Sequence, residues 1–305
     1  MKKRIISMLL TAVMAASLMA GCGEAPAETA ETEAASENAA AAESENAEAS
    51  SEITTVTPGK LTVATSPDFA PCEFYSIGED GTPELAGFDM ALAQYVADKL
   101  NLELEIVTVD FDGVLTELST KSVDLGMAGL SPDPARDSIM DFSYLYYLAG
   151  QSLVTVESKA DSITSIADAN KPECTVGAQT GSIQLDLANE NTPDANIVSM
   201  PKVTDIVAEL ISGKEDAAFL ETDVAKCYQK NYPELVIVAD VPYDQEGFAI
   251  GVSKGNTALL EAVNNAITEA IEDGSIQKFV AEANELATGE KYEGLLEDGV
   301  VPGNE

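Results

Sequence analysis

The chain has 305 residues, 53 of them acidic and 16 basic, for a formal net charge of −37, and it contains no histidine. Such a surface repels nucleic acid, whose phosphates must be met by lysine and arginine. The missing histidine removes Ser-His-Asp and Cys-His nucleophile systems and most zinc chemistry.

Lys2, Lys3 and Arg4 precede an apolar stretch from Ile5 to Met19, and small residues then lead to Cys22. This pattern predicts a secretory signal over residues 1–21, too short for a stable membrane span. Its end resembles the lipobox of bacterial lipoproteins, with Met19 where leucine is usual. That resemblance implies a lipid-anchored Cys22 at the mature N-terminus. Residues 22–58 carry nine glutamates, no basic residue and few apolar ones, which predicts a disordered, self-repelling tether. After Cys22 three cysteines remain, Cys72, Cys174 and Cys227, so at least one is unpaired; they read as small packed residues.

From Leu61 the pattern alternates. Strands are expected at 61–65, 102–109, 123–130 and 151–158. Helices are expected where Phe88, Leu92, Tyr95, Val96 and Leu100 recur at helical spacing, and at 113–122. The alternation restarts with strands at 173–179, 196–200, 216–222 and 235–240, separated by helices at 182–189, 203–213 and 223–231. A strand at 247–253 leads into one long helix expected from Ala258 to about Asn284, and an acidic tail covers 288–305. Repeated strand–helix units predict an α/β fold with largely parallel sheets.

One short run invites a different reading. Asp110-Phe111-Asp112-Gly113, at the end of an apolar strand, looks like the nucleophile and acid/base pair of haloacid-dehalogenase phosphatases. Those enzymes carry the motif on the first strand of the core, whereas here a full strand–helix unit comes before it.

The surrounding landmarks point elsewhere. Gly87-Phe88-Asp89, Asp110 to Val114, Val123-Asp124 with Ala128-Gly129, Pro134-Ala135-Arg136, Asp141-Phe142-Ser143 with Tyr146-Tyr147, and Ala149-Gly150-Gln151 occur in one order and spacing. Together they resemble the polar-amino-acid-binding proteins of ABC importers, extracellular solute-binding proteins of family 3. The resemblance covers roughly 61–282. It implies a two-lobed, periplasmic-binding-protein-like fold of type II, with a ligand cleft between lobes joined by two crossovers. Lobe one would hold 59–150 and the return segment 247–287, and lobe two 151–246. Phe111 then becomes a wall of the cleft, and Asp110 and Asp112 become caps of the following helix.

A free amino acid brings a carboxylate and an ammonium, and both need charged partners once water is expelled. Arg136 is the expected carboxylate partner, because a guanidinium grips a carboxylate through two parallel hydrogen bonds. By the resemblance, Gly129 and Ser131 line the same end and Ser182 reaches it from the far lobe, although Ser182 also reads as a plain helix cap. Glu221 stands where the family usually has Asp facing the ammonium, with Asp223 as the alternative. Phe69 and Phe111 flank the ligand side chain. Ser66 stands where binders of basic ligands often have Asp, and Gln179 where some glutamine binders have Lys, which favours a neutral polar ligand such as glutamine or cystine. Asp68 could restore a negative charge. The expected function is a lipoprotein on the outer face of the membrane, a monomer without cofactor or metal, that passes an amino acid to an ABC permease and is not an enzyme. A ligand-sensing subunit and a cyclohexadienyl-dehydratase-like enzyme on the same fold are the alternatives.

Overall fold

The computed structural model describes residues 53–78, 80–243 and 247–288. The expected signal, the lipidated Cys22, most of the tether and nearly all of the acidic tail lie outside the described residues. In chain order the elements are β1 (Lys60–Thr65), β2 (Phe74–Ile77), β3 (Pro83–Ala86), α1 (Phe88–Leu100), β4 (Glu103–Thr108), α2 (Phe111–Ser119), β5 (Leu125–Gly126), β6 (Met140–Tyr147) and β7 (Gln151–Val156). Then come α3 (Ile166–Ala169), β8 (Thr175–Gln179), α4 (Ile183–Asn191), β9 (Asn196–Met200), α5 (Val203–Ile211), β10 (Ala217–Glu221), α6 (Thr222–Asn231), β11 (Leu235–Asp240), β12 (Phe248–Ser253), α7 (Thr257–Glu272) and α8 (Ser275–Leu286).

The strands form two five-stranded sheets, ordered β4-β1-β5-β12-β6 and β11-β7-β10-β8-β9, with β2 and β3 as a separate hairpin. Read from the β9 edge, the second sheet repeats the plan of the first. In each, two strand–helix units and a third strand run parallel, and one strand runs against its neighbours. That strand is β12 in the first sheet and β7 in the second. Both reversed strands directly follow a passage between the sheets, which is why the sheets are mixed where alternation alone predicts parallel ones. β1 pairs with β4 from Lys60↔Glu103 to Thr65↔Thr108, and β8 with β9 from Thr175↔Asn196 to Gln179↔Met200.

Local sequence explains most elements. β1 buries Leu61 through Thr65 because it is central and covered on both faces. α5 places Val203, Ile206, Val207 and Leu210 on one buried stripe. A single apolar cluster runs from Leu61, Val96 and Ile250 on the first sheet and its helix α1 to Leu220, Val207 and Tyr228 on the second sheet and its helices α5 and α6, so the two lobes share buried surface.

Four expectations need correction. The long C-terminal helix is two, because the chain turns at Asp273-Gly274. Gly274 takes the left-handed conformation (φ 81) that ends helices, and Asp273 Oδ1 accepts the amide of Ser275 at 2.8 Å. The strand expected over 123–130 pairs only at Leu125–Gly126, since the left-handed Gly129 (φ 54) turns the chain away. Asp110 stands at the N-cap of α2 but its carboxylate makes no capping bond, and Asp112 lies inside the first turn. β6 and the β2–β3 hairpin were not foreseen. The three cysteines are buried free thiols.

Candidate functional site

The predicted residues gather where strands end and helices begin. Ser66, Asp68 and Phe69 follow β1, Gly129 and Ser131 follow β5, and Gln179 ends β8 just before Ser182 caps α4. Glu221 ends β10, and Phe111 opens α2. Carboxyl ends of parallel strands are where open α/β sheets present ligand sites.

Arg136 sits in a single 3-10 turn, Pro134–Arg136, whose N-terminus is capped by the Asp133 side chain. It is 6 % exposed, so it is a buried cation rather than a surface one. Its guanidinium donates to the Ser131 carbonyl at 3.4 Å and, across the cleft, to the Gly181 carbonyl at 3.1 Å. It lies 5.7 Å from the centre of the Phe111 ring, and Asp133 approaches Nε only to 4.0 Å. Burial lowers its pKa. A guanidinium held by neutral carbonyls and an aromatic face keeps unspent charge for an anion.

Gly129 shapes the same end. A methyl group there would stand 2.6 Å from the Phe69 ring, so the backbone must be bare for the aromatic to close on it. Its amide donates to Asp89 Oδ2 at 3.1 Å, and Tyr146 donates to Asp89 Oδ1 at 2.7 Å. Beside them lies Glu73, fully buried and facing no amide or hydroxyl donor. Its polar neighbour is the Asp89 carboxyl. A carboxyl facing a carboxyl keeps a proton, so burial and Asp89 hold Glu73 well above the usual range, and burial pushes Asp89 to about 6.

Ser66 and Gln179 converge on Asp68. Ser66 donates to Oδ1 at 2.8 Å, Gln179 Nε2 to Oδ2 at 3.1 Å, and the Val203 amide to Oδ2 at 2.6 Å. Burial still dominates and raises its pKa to about 6. The Ser182 hydroxyl donates to the Gln179 carbonyl at 2.7 Å and accepts the Leu185 amide at 3.3 Å, the bonding of a helix cap.

Glu221 touches none of these groups. It caps α6 through the Val224 amide at 2.7 Å and takes the Gly150 amide of the first crossover at 3.4 Å. Burial pushes its pKa to about 8, with Asp223 adding to the rise. Asp223 is already paired with Lys226 at 2.8 Å and with the Tyr147 hydroxyl at 2.6 Å. Of the two acids, Glu221 is therefore the one that lacks a cation.

Tyr243 lies outside the sequence expectations. Its hydroxyl donates to the Ala149 carbonyl and accepts the Gly247 amide, both at 3.2 Å, joining the two crossovers. A tyrosine shortly before a strand carries no signal of that kind. Among the described residues no acidic, cysteine or histidine cluster could hold a metal.

The arginine-binding extracellular protein ArtP of Bacillus subtilis (strain 168) is 35% identical over 237 residues, covering 76% of this chain and 88% of its own. A solved amino acid ABC transporter substrate-binding protein AbpA from Streptococcus pneumoniae, bound to L-arginine, superposes with a TM-score of 0.72 at 33% identity, over 76% of this chain and 97% of its own. A solved ancestral arginine-binding protein bound to glutamine gives 0.67 at 32%, over 74% and 98%. Residues 61–283 match the family model itself, and the chain belongs to the bacterial extracellular solute-binding proteins, family 3.

Proposed function

We propose that this chain captures an amino acid with a basic side chain between its lobes and delivers it to an ABC permease. The amino-acid ABC transporter setting of its relatives supports capture and transport. The observation that carries the side-chain class is an imbalance of buried charge. Glu73, Asp89 and Glu221 are fully buried, while Arg136 supplies the buried guanidinium. An amino-acid carboxylate would use Arg136. Its ammonium would meet Glu221, leaving acids that a second positive charge can ionise. The binding role needs no bond making, because the ligand biases an open–closed equilibrium by fitting the closed form.

The neutral ligand expected from Ser66 and Gln179 is the second reading. It is favoured by Asp68 being bonded to neutral donors and by the glutamine complex of the ancestral relative. Calorimetry with arginine, lysine, histidine, glutamine and cystine, in two buffers of different ionisation heat, separates them. Arginine should bind tightest at pH 7 and release more protons than glutamine, since any α-ammonium takes the Glu221 proton while only a second positive charge also ionises Glu73. Tighter binding of glutamine or cystine, with arginine releasing no more protons than they do, would establish the second reading, and binding of no amino acid would remove both.

The N-terminal features complete the proposal. The chain is exported, lipidated at Cys22, and held off the outer face of the cell membrane by the tether of residues 22–58. The lobe made of 59–150 and 247–287 closes on 151–246 as a monomer. Cys22→Ser should release the protein from the membrane fraction.

A further inference from the structure

α5 begins without a cap of its own. Lys202 occupies its N-cap in extended conformation and makes no side-chain bond to the helix, so the first amides need another acceptor. The acceptor comes from the other lobe. Asp68, which follows β1, places Oδ2 2.6 Å from the Val203 amide at the first position of α5. The same oxygen takes Gln179 Nε2 at 3.1 Å, and Oδ1 is held by Ser66 at 2.8 Å. The Asp68 carbonyl accepts the Tyr228 hydroxyl of α6 at 3.1 Å. One residue of lobe one is thus bonded to three groups of lobe two, and its charge lies at the positive end of a helix.

We infer that Asp68 is a positioning residue that caps α5 in trans, latching the lobes shut, and that it sets ligand residence time rather than ligand choice. The bond exists only when the lobes meet. On opening, Asp68 returns to water and α5 loses its cap, so closure gains a charge-assisted hydrogen bond that no ligand atom supplies. The latch also holds a measurable closed population with no ligand added. Ser66 takes part by fixing the carboxylate. A ligand carboxylate would compete with the Arg136–Gly181 bridge for the guanidinium, whereas it leaves the Asp68–Val203 bond intact.

This rests on the amino-acid reading only for its kinetic arm. The test is a double-mutant cycle on the full-length chain with Asp68→Asn and Val203→Pro. Proline is tolerated at the first helical position and deletes the donated amide, and the extended Lys202 before it suits a following proline. Each single variant should speed arginine dissociation about tenfold or more while association changes little. The double variant should be no worse than the worse single. The arginine-to-glutamine affinity ratio should stay constant. Single-molecule energy transfer between a dye on each lobe, with no ligand added, should show the closed fraction falling in both variants. Additive effects of the two substitutions would overturn the latch, as would a changed affinity ratio with unchanged closure, or a wild-type chain wholly open without ligand. If arginine does not bind at all, the basic-side-chain reading is at fault, and the energy-transfer arm still decides the latch.

Discussion

Arg136 shows how much a single residue's surroundings decide. It is legible in the sequence because proline and arginine at the spacing Pro134-Ala135-Arg136 form a recognisable motif, and the structure buries it on Phe111 with carbonyl partners. Lysine would keep the charge but lose the planar fork. Arg136→Lys should therefore weaken amino-acid binding by about tenfold or more, the loss of one hydrogen bond to a charged group, as read by calorimetry. Glu215 is the opposite case, a residue with no motif around it. Both its carboxyl oxygens are buried without a partner against Gly177, and burial raises its pKa to about 8. The folded chain holds that proton more tightly than the unfolded chain does. Its contribution to stability is thus complete below the ordinary value of 4.5 and disappears as pH rises through about 8. Glu215→Gln should melt close to wild type at pH 5 and above wild type at pH 8. Equal melting midpoints at pH 8 would show that Glu215 finds a partner in solution. Asp68 is legible as an acid near the site, but its direction is not, because that depends on a helix start 135 residues away.

Elements were legible where periodicity was strong and flanked by turn residues. α1 has both, with Gly87 before it and a left-handed Asn101 after it. β6 was missed because its burial runs out of step with simple alternation, exposing Tyr144 and Leu145 together where the ladder to β12 shifts register. The α7–α8 break was missed because glycine inside a helical pattern is ambiguous until its φ is known. At φ 81 a side chain is strained even where space is open. Gly274→Ala should lower unfolding stability by about 1 kcal/mol, measured by urea titration, with little change in ligand affinity. A stabilising effect would mean that α7 and α8 can fuse into the single helix expected from the sequence.

At the scale of the molecule, strand–helix alternation revealed the α/β class, but not the reversed strand in each sheet. That reversal is a matter of where the chain enters a lobe, which no local pattern encodes. Lobes that close on a ligand would also make the whole fold a thermometer of occupancy. Arginine at 100 times its dissociation constant should add about 2.7 kcal/mol and raise the melting midpoint by roughly 5–10 °C, with glutamine adding less at the same concentration. A shift that persists in Arg136→Ala would place the ligand somewhere other than the cleft.

The phenol of Tyr243 joins Ala149 to Gly247, and so ties together the two places where the chain passes between lobes. Two strands yoked at one point behave as an axle rather than a ball joint: rotation about the line through them stays free, while twist and sideways slip are resisted. Long and short ligands would then be accommodated by stopping the same swing at different angles. A permease that reads the closed shape would be offered a single graded coordinate, however varied the cargo.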